Sequence, residues 1–240
     1  MASQRSAPSF LLEVDGLKIV VSRKRVKNVN FRIGSDGVAR MSVPERMSHE
    51  RVVEMARSRA PWFAEHMRRR DERRSAMPQD WETGETLSVW GEEVVLRVER
   101  GVDELGCRLA GGTLVLGVPH GSTREGRASL VMRWLGEQLS ARVGELLPDC
   151  ERRVGRRATS ITFRRMKTRW GSCTPRTGRI RINLALAECP PDCLEMVLVH
   201  ELCHLVEPSH SARFHALMDL HCPSWRVSQR WLDEHPPEVW

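Results

Sequence analysis

The stretch that decides the fold is PDCLEMVLVHELCHLV, residues 191–206. Pro191 suits the first position of a helix, and no Pro or Gly follows it in this stretch. Residues four apart lie on one face of a helix, so His200 and His204 can hold the same metal ion. Glu201 follows the first histidine directly, where it reaches a metal-bound water rather than the metal. The stretch therefore predicts a helix that carries an HExxH metal motif.

A third metal ligand is expected just after this helix. Pro208 resists helical continuation, and a reversal of the chain there can return His210 to the same ion. Three imidazoles with one open position are typical of a catalytic rather than a structural zinc site. Three other residues compete with His210 for this role: Glu207, His215 and His221. The favoured interpretation is one catalytic Zn²⁺ ion held by His200, His204 and His210.

These residues predict a hydrolase. Zinc lowers the pKa of a bound water toward about 7, and Glu201 takes the proton and passes it to the leaving amine. The oxyanion that forms needs a further hydrogen-bond donor. The sequence contains no Tyr, which excludes a phenol from this role. The candidate donors are Arg169, Lys167, Asn183 and His215, and the sequence does not choose among them.

The order of the predicted elements favours an α+β fold. Hairpins and one helix begin the chain, a second long helix ends near Leu147, alternating apolar residues predict a strand through Leu186, and helices follow. We find no internal repeat. The chain divides by prediction into a disordered tail at residues 1–9, a β-rich part with one helix at 10–120, and a core at 121–240 that holds the metal motif.

Composition excludes a membrane-spanning protein and favours a cytoplasmic one. No run of 18 apolar residues occurs and no secretory signal is recognisable, so we expect neither a membrane span nor export. The seven cysteines are then expected to be reduced, buried thiols. Two weaker hypotheses remain for them. One is a second zinc site at Cys189, Cys193 and Cys222, and the other is a latent state in which Cys173 binds the catalytic zinc.

The charge is concentrated in one segment of the sequence. The chain has 38 Lys and Arg against 31 Asp and Glu, a net charge of +7. Residues 151–181 contain 11 of these basic residues and one acidic residue, Glu151, so that 11 − 1 gives +10. Such a segment makes nucleic acid a candidate partner, as an alternative to the peptide or protein substrate. A general preference for Arg in the source proteome is the competing explanation.

Several motifs together closely resemble the YgjP-like metallopeptidase family, which consists of bacterial zincin-type proteins that are more distantly similar to SprT-like metalloproteases. The motifs are Met166–Cys173 (MKTRWGSC), Ile182-Asn183-Leu184 with Leu186, Val199–Leu205 (VHELCHL), and His210-Ser211 with Phe214. The resemblance runs from about Ile19 to Leu232. Two positions depart from the family pattern. Ser209 lies where family members often have Asn, and His215 lies where an aromatic residue is more usual.

This resemblance implies a β-hairpin-rich N-terminal part followed by a minimal zincin-like core, in one continuous unit from about residue 19 to 232. It implies His200, His204 and His210 as the zinc ligands, of which His210 is the third histidine, of the gluzincin or SprT-like type. It also implies Glu201 as the general base. It also places the RWGSC segment near the metal-binding helix.

We therefore expect a cytoplasmic zinc metallopeptidase that acts on a peptide or protein and does not associate with membranes. One alternative is a nucleic-acid-associated protein that uses residues 151–181, including one that acts on DNA-linked proteins. The other is a zinc-dependent hydrolase of nucleotide phosphoanhydrides, for which the same arginines would supply charge. The sequence does not indicate the oligomeric state.

Overall fold

The computed structural model describes residues 9–34, 36–76 and 80–237. The chain divides into two compact units, Met1–Ser75 and Ala76–Trp240. The predicted disordered tail lies outside the described residues except for Ser9, which begins the first strand. Of the described helices, none is both long and apolar enough to cross a membrane.

The first unit is a four-stranded sheet followed by a long helix. Its elements are β1 (Ser9–Val14), β2 (Leu17–Lys24), β3 (Asn30–Ile33), β4 (Ala39–Pro44) and α1 (His49–Ala76). The strand order is β1-β2-β4-β3. The central strands β2 and β4 are parallel, and each edge strand is antiparallel to its neighbour. Alternate residues of β4 are buried and belong to one core with Phe63 of α1, as the period of two along a strand requires.

The second unit begins with another sheet and helix. Its first elements are β5 (Thr86–Val89), β6 (Glu92–Arg100), β7 (Gly106–Ala110), β8 (Thr113–Val118) and α2 (Arg124–Val154). The order is β5-β6-β8-β7. The central pair β6 and β8 is parallel, and both edge strands are antiparallel to their neighbours.

The two units contain the same arrangement of four strands and a helix. Each helix begins after a hydroxyl cap: Ser48 accepts a hydrogen bond from the Arg51 N–H, and Thr123 from the Gly126 N–H. Buried residues correspond at a constant separation of 75 positions in the pairs Val14/Val89, Ile19/Val94, Val21/Leu96, Ala39/Leu114, Met41/Leu116 and Val43/Val118. The expectation that the chain has no internal repeat is therefore wrong.

A third sheet and three helices complete the second unit. The elements are β9 (Ser160–Arg164), β10 (Gly171–Thr174), β11 (Arg179–Asn183), a 3₁₀ turn (Leu184–Glu188), α3 (Pro191–Cys203), α4 (Ala212–His221) and α5 (Trp225–Glu234). Strand β11 lies in the centre, antiparallel to β10 and parallel to β9. The apolar residues of the sheets and of helices α2 to α5 form one core. The predicted α+β fold is confirmed.

The turn between β5 and β6 fixes the start of α3. The Trp90 N–H donates to the carbonyl of Ala187 at 2.8 Å, and the Gly91 N–H donates to that of Glu188 at 3.2 Å. A Cβ on Gly91 would lie 3.1 Å from atoms of Pro190, and the φ of Gly91 is +83°. Glycine is favoured there both by the close approach and by the left-handed backbone. The repeated sheet thus positions the helix that carries the metal motif.

Some boundaries differ from the predicted ones. Helix α2 continues past Leu147 to Val154 with Pro148 inside it, because burial of Cys150 and Val154 in the core offsets the hydrogen bond that proline cannot make. The strand predicted through Leu186 ends at Asn183 and continues as the 3₁₀ turn. The predicted domain boundary at residue 120 falls between β8 and α2, which share one core. The division of the chain into two compact units falls after residue 75.

Leu116→Ala should lower the free energy of unfolding by about 2–5 kcal/mol, because this fully buried side chain would leave a cavity between β8 and its neighbours. Leu109→Ala is the matched control on the neighbouring strand, since Leu109 is 48% exposed. It should change stability by no more than about 0.5 kcal/mol. Urea unfolding of both variants tests this, and equal losses would contradict the assignment of the core.

Candidate metal centre

Helix α3 is mostly buried and carries one predicted ligand, His200, while a second, His204, is the residue that caps its C-terminus. Leu194, Leu198 and Leu202 are fully buried in the core of the second unit. The His200 and His204 side chains lie one helical turn apart, and their Nε2 atoms are 3.1 Å apart. The packed leucines hold the backbone of the two histidines, which is the rigid support that a metal site needs.

The chain returns the third histidine to the same point. His210 lies between α3 and α4, immediately before Ser211, whose side chain accepts a hydrogen bond from the Phe214 N–H at 3.3 Å. The His210 Nε2 atom is 3.1 Å from the His200 Nε2 atom. Two nitrogens at about 2.0–2.1 Å from one tetrahedral zinc ion lie roughly 3.3 Å apart, so both separations fit a shared ion.

These three histidines could hold a metal ion. Their ligand atoms all lie within 4.8 Å of one another. In the part of the chain that the structure describes, no other group of three or more His, Cys, Asp or Glu side chains meets the same condition. The competing ligands Glu207, His215 and His221 are therefore not part of the cluster.

A buried phenylalanine supports all three imidazoles. The ring centroid of Phe214 lies 4.9 Å from that of His200, 4.6 Å from that of His204 and 4.8 Å from that of His210. The Nδ1 of His204 is 3.2 Å from the carbonyl oxygen of Glu207. A proton on Nδ1 donates to this carbonyl and leaves Nε2 free to bind a metal. In the sequence, Phe214 belongs to the motif shared with the family but has no predicted role.

Burial favours the neutral form of two of the imidazoles, those of His200 and His204. Burial, together with the neighbouring histidines, lowers the pKa of His200 to about 3. Burial also lowers the pKa of His204 below its usual value. Neutral imidazole is the form that binds metal ions.

Glu201 is buried beside strand β10. Its residue is 4% exposed, and a Cβ on Gly171 would lie 2.4 Å from its Oε1 atom. Its Oε2 atom is buried and has no hydrogen-bond partner among the described residues. Burial raises the pKa of Glu201 to about 8, against the opposing effect of Arg169. An unpaired buried carboxyl oxygen is costly and is suited to exchange a proton with a water in the site.

The histidines and Glu201 face an open cleft of about 560 Å³. The RWGSC segment lines the cleft, as the family resemblance implies. The other lining residues come from α3, α5 and the links that follow β10 and α3: Pro175, Met196, Val197, Pro208, Gln229 and Leu232. The cleft therefore combines a polar floor with largely apolar walls, as small-molecule and peptide sites commonly do.

Comparison with known proteins identifies the family. The family model described as "YgjP-like, metallopeptidase domain" matches residues 27–235. The chain belongs to the YgjP-like metallopeptidase family. This membership supports a metallopeptidase-type hydrolase. Among solved structures, the YgjP-like chain is similar to the crystal structure of the metallopeptidase zymogen of Pyrococcus abyssi abylysin. The two are 19% identical with a TM-score of 0.36, and the match covers 41% of this chain and 99% of that one. No curated protein matches the chain.

Of the four candidate oxyanion donors in this YgjP-like chain, only Arg169 lines the cleft. Lys167 and His215 are exposed and are not among the residues that line the cleft, and the His215 ring lies parallel to that of Trp225. Asn183 is fully buried, and its Nδ2 group donates to the carbonyls of Met166 at 2.8 Å and Arg169 at 2.7 Å. Both hydrogens of the Asn183 amide are thus used to shape the loop before β10.

The charge of Arg169 acts on the carboxyl group of Glu201 and opposes the rise of its pKa. Two other carboxylates of this unit bind other arginines: Glu195 binds Arg153, and Glu188 binds Arg165. Trp170 packs against the core and also lines the cleft.

The cysteines do not form a second metal cluster among the described residues. All seven are free thiols, and Cys189, Cys193 and Cys222 do not meet the separation that the three histidines meet. Cys173 lines the cleft, and burial raises the pKa of its thiol to about 11. Its role as a latent zinc ligand stays a prediction.

Gly171→Ala should lower the free energy of unfolding by about 1–3 kcal/mol, because the added methyl group overlaps the buried Glu201 side chain. Gly144→Ala is the control, since a Cβ at this helical position meets no atom within 4 Å. It should leave stability unchanged or raise it by about 0.5–1 kcal/mol. Thermal unfolding compares them, and a Gly171→Ala variant as stable as the wild type would contradict the contact.

Proposed function

We propose that the protein is a zinc-dependent peptidase in which His200, His204 and His210 hold the ion and Glu201 is the general base. One observation carries the proposal. Three imidazoles converge in the same cleft in which a buried carboxyl oxygen, Oε2 of Glu201, has no partner among the described residues. If these residues formed a structural ion pair, or a core in which every polar group is hydrogen-bonded, neither the cluster of imidazoles nor the unpaired carboxyl oxygen would be expected.

The donor set fits zinc. Imidazole is a preferred zinc ligand, and three protein ligands with one open position define catalytic sites. Bound there, zinc would supply Lewis acidity, which polarises a carbonyl and makes water a stronger acid. The cleft beside the histidines would leave room for a substrate next to a bound ion.

Glu201 handles the protons. Its Oε2 atom accepts a proton from the water that attacks the peptide carbonyl, and the same atom returns the proton to the leaving amine. The packing of Glu201 against Gly171 holds the carboxyl group in one place during both transfers. The fully buried leucines of α3 keep Glu201 and the histidines in a fixed relation.

The cleft suits a peptide more than a compact polar molecule. Trp170, Met196 and Leu232 give it apolar walls, which can bury the side chains on either side of a cleaved bond. Hydrolysis of nucleotide phosphoanhydrides and nucleic-acid binding through residues 151–181 remain predictions, as does a cytoplasmic location. A panel of nucleoside triphosphates assayed beside the peptides separates the first of these from peptidase activity.

Glu201→Gln should retain about one zinc ion per chain and lose roughly 10²–10⁴-fold in peptide hydrolysis, because it keeps the shape of the residue but cannot accept the proton. Asp192→Asn on the exposed start of the same helix is the control and should keep full activity. Elemental analysis and a fluorogenic peptide library provide the readouts. A protein without stoichiometric zinc, or unchanged hydrolysis by Glu201→Gln, would refute the proposed function.

Arg169→Met should lower kcat/KM by roughly 10²–10³-fold if this cation stabilises the oxyanion, and Arg169→Lys should restore part of the loss. Lys167→Met removes the same charge two residues away, outside the cleft lining, and should have little effect. Steady-state kinetics on one peptide decide the matter. An equal effect of the two Met substitutions would exclude a specific role for Arg169.

A further inference from the structure

The positive charge of the chain belongs to the first unit. Residues 1–75 contain 17 Lys and Arg against 9 Asp and Glu, a net charge of +8, whereas residues 76–240 contain 21 against 22, a net charge of −1. Residues 16–34 alone contain six basic residues and no acidic one. The charge of the first unit is thus far more asymmetric than that of the unit that holds the metal centre.

Four basic residues of the first unit lie on one face of the sheet. The core of the first unit takes Ile19 and Val21 of β2 and Ala39 and Met41 of β4, so the alternating residues of these strands face the other way. This outer face carries Lys18 and Lys24 of β2, Arg40 of β4 and Arg32 of β3, and one acidic residue, Glu13 of β1, directly opposite Lys18.

The register of the strands arranges polar groups between these charges. Ser9, Ser22, Ser42 and Asn30 lie side by side across the four strands. The next row on the same face ends in Arg40 and Arg32, which are directly opposite each other. Like charges in such a pair destabilise a sheet. Asp36 binds Arg40 and offsets its charge, but no acidic residue among the described ones offsets the charge of Arg32.

Lys18, Lys24 and Arg32 are exposed cations without internal partners. All three residues are exposed, and within the described residues no hydrogen bond or ion pair engages their side chains. They span about 20 Å from Lys18 to Lys24 along β2, at about 3.3 Å per residue. Glu13 lies directly opposite Lys18 in the sheet, whereas the residues opposite Lys24 and Arg32 are Pro44 and Arg40, so cross-strand charge pairing does not account for these two cations.

The repeated scaffold shows that the fold itself does not require this charge. The residues 75 positions after Lys18 and Lys24 are Glu93 and Glu99 of β6. Glu99 pairs with Arg97 and Arg108, so the corresponding face of the second sheet is of mixed charge. The same arrangement of strands therefore folds with acids where the first unit has lysines.

We propose that the outer face of β1–β4 binds the phosphate backbone of a nucleic acid. Phosphates are contacted mainly by Arg, Lys, Ser and Asn side chains, which are the types that this face presents. The aromatic residues Phe10 and Phe31 pack against the core instead, so this face is expected to contact phosphates rather than bases, and phosphate contacts carry no sequence information. An anionic membrane is a poorer match, because among the described residues of the first unit no exposed Phe or Trp side chain accompanies these charges.

The test uses the full chain with a fluorescein-labelled 30-base-pair DNA duplex and the matching single strand, in fluorescence anisotropy between 50 and 200 mM salt. The triple variant Lys18→Gln, Lys24→Gln, Arg32→Gln should bind at least 10-fold more weakly. Its log–log salt slope on the duplex should fall by about 2–3, since each phosphate contact contributes about 0.9. The control Arg51→Gln, Arg57→Gln, Arg68→Gln removes the same charge from α1 and should stay within two-fold of the wild type.

Several results would overturn the proposal. The first is that the wild type shows no measurable binding to DNA, and the second is that both triple variants lose equal affinity for DNA. The third is that affinity is lost only in a further triple variant in the segment 151–181, Lys167→Gln, Arg179→Gln, Arg181→Gln. Stronger binding to phosphatidylserine vesicles or to polyglutamate than to either DNA would assign the face to another partner. Circular dichroism confirms folding of each variant, and the three single Gln variants replace the triple one if it misfolds.

Discussion

The contact between the Glu201 carboxyl group and Gly171 sets how closely helix α3 and strand β10 approach each other. Any side chain at residue 171 would overlap the carboxyl group, so the third sheet can lie this near to the metal-binding helix only with glycine there. The approach buries Glu201, deprives its Oε2 atom of partners among the described residues, and places the RWGSC segment along the cleft. The HExxH motif and the RWGSC segment thus contact each other at Glu201 and Gly171.

The metal cluster could be predicted because its information is local. The spacing of His200 and His204 within one apolar helix places both on one face, and Pro208 marks the turn that returns His210. The support behind the cluster was harder to predict. Phe214 touches all three imidazoles, yet its position in the sequence resembles that of any core residue of a short helix. Asn183 is one of four candidate donors in the sequence, but its amide hydrogens are donated to the carbonyls of Met166 and Arg169, which only the fold brings within reach.

The internal repeat escaped the sequence analysis because burial is retained while residue identity is not. Met41 and Leu116 occupy equivalent buried positions, as do Ala39 and Leu114, and a core accepts such exchanges when volume and pattern are preserved. The strand β7 was not predicted, since its residues are mostly exposed and polar or small. The excess positive charge also lies in a different part of the chain from the segment that the sequence pattern indicates. Residues 151–181 are strongly basic, but the acidic residues elsewhere in the second unit offset them, and the unbalanced charge lies in the first unit.

The central claim is that three imidazoles share one metal ion beside a buried carboxyl group. Anomalous X-ray diffraction at the zinc edge, from crystals of the full chain grown with zinc, tests it most directly. The account predicts one strong peak about 2.0–2.1 Å from the Nε2 atoms of His200, His204 and His210, with Glu201 close by but not a ligand. A peak coordinated by the cysteines, a peak with Glu201 as a direct ligand, or no peak at the three histidines would contradict it.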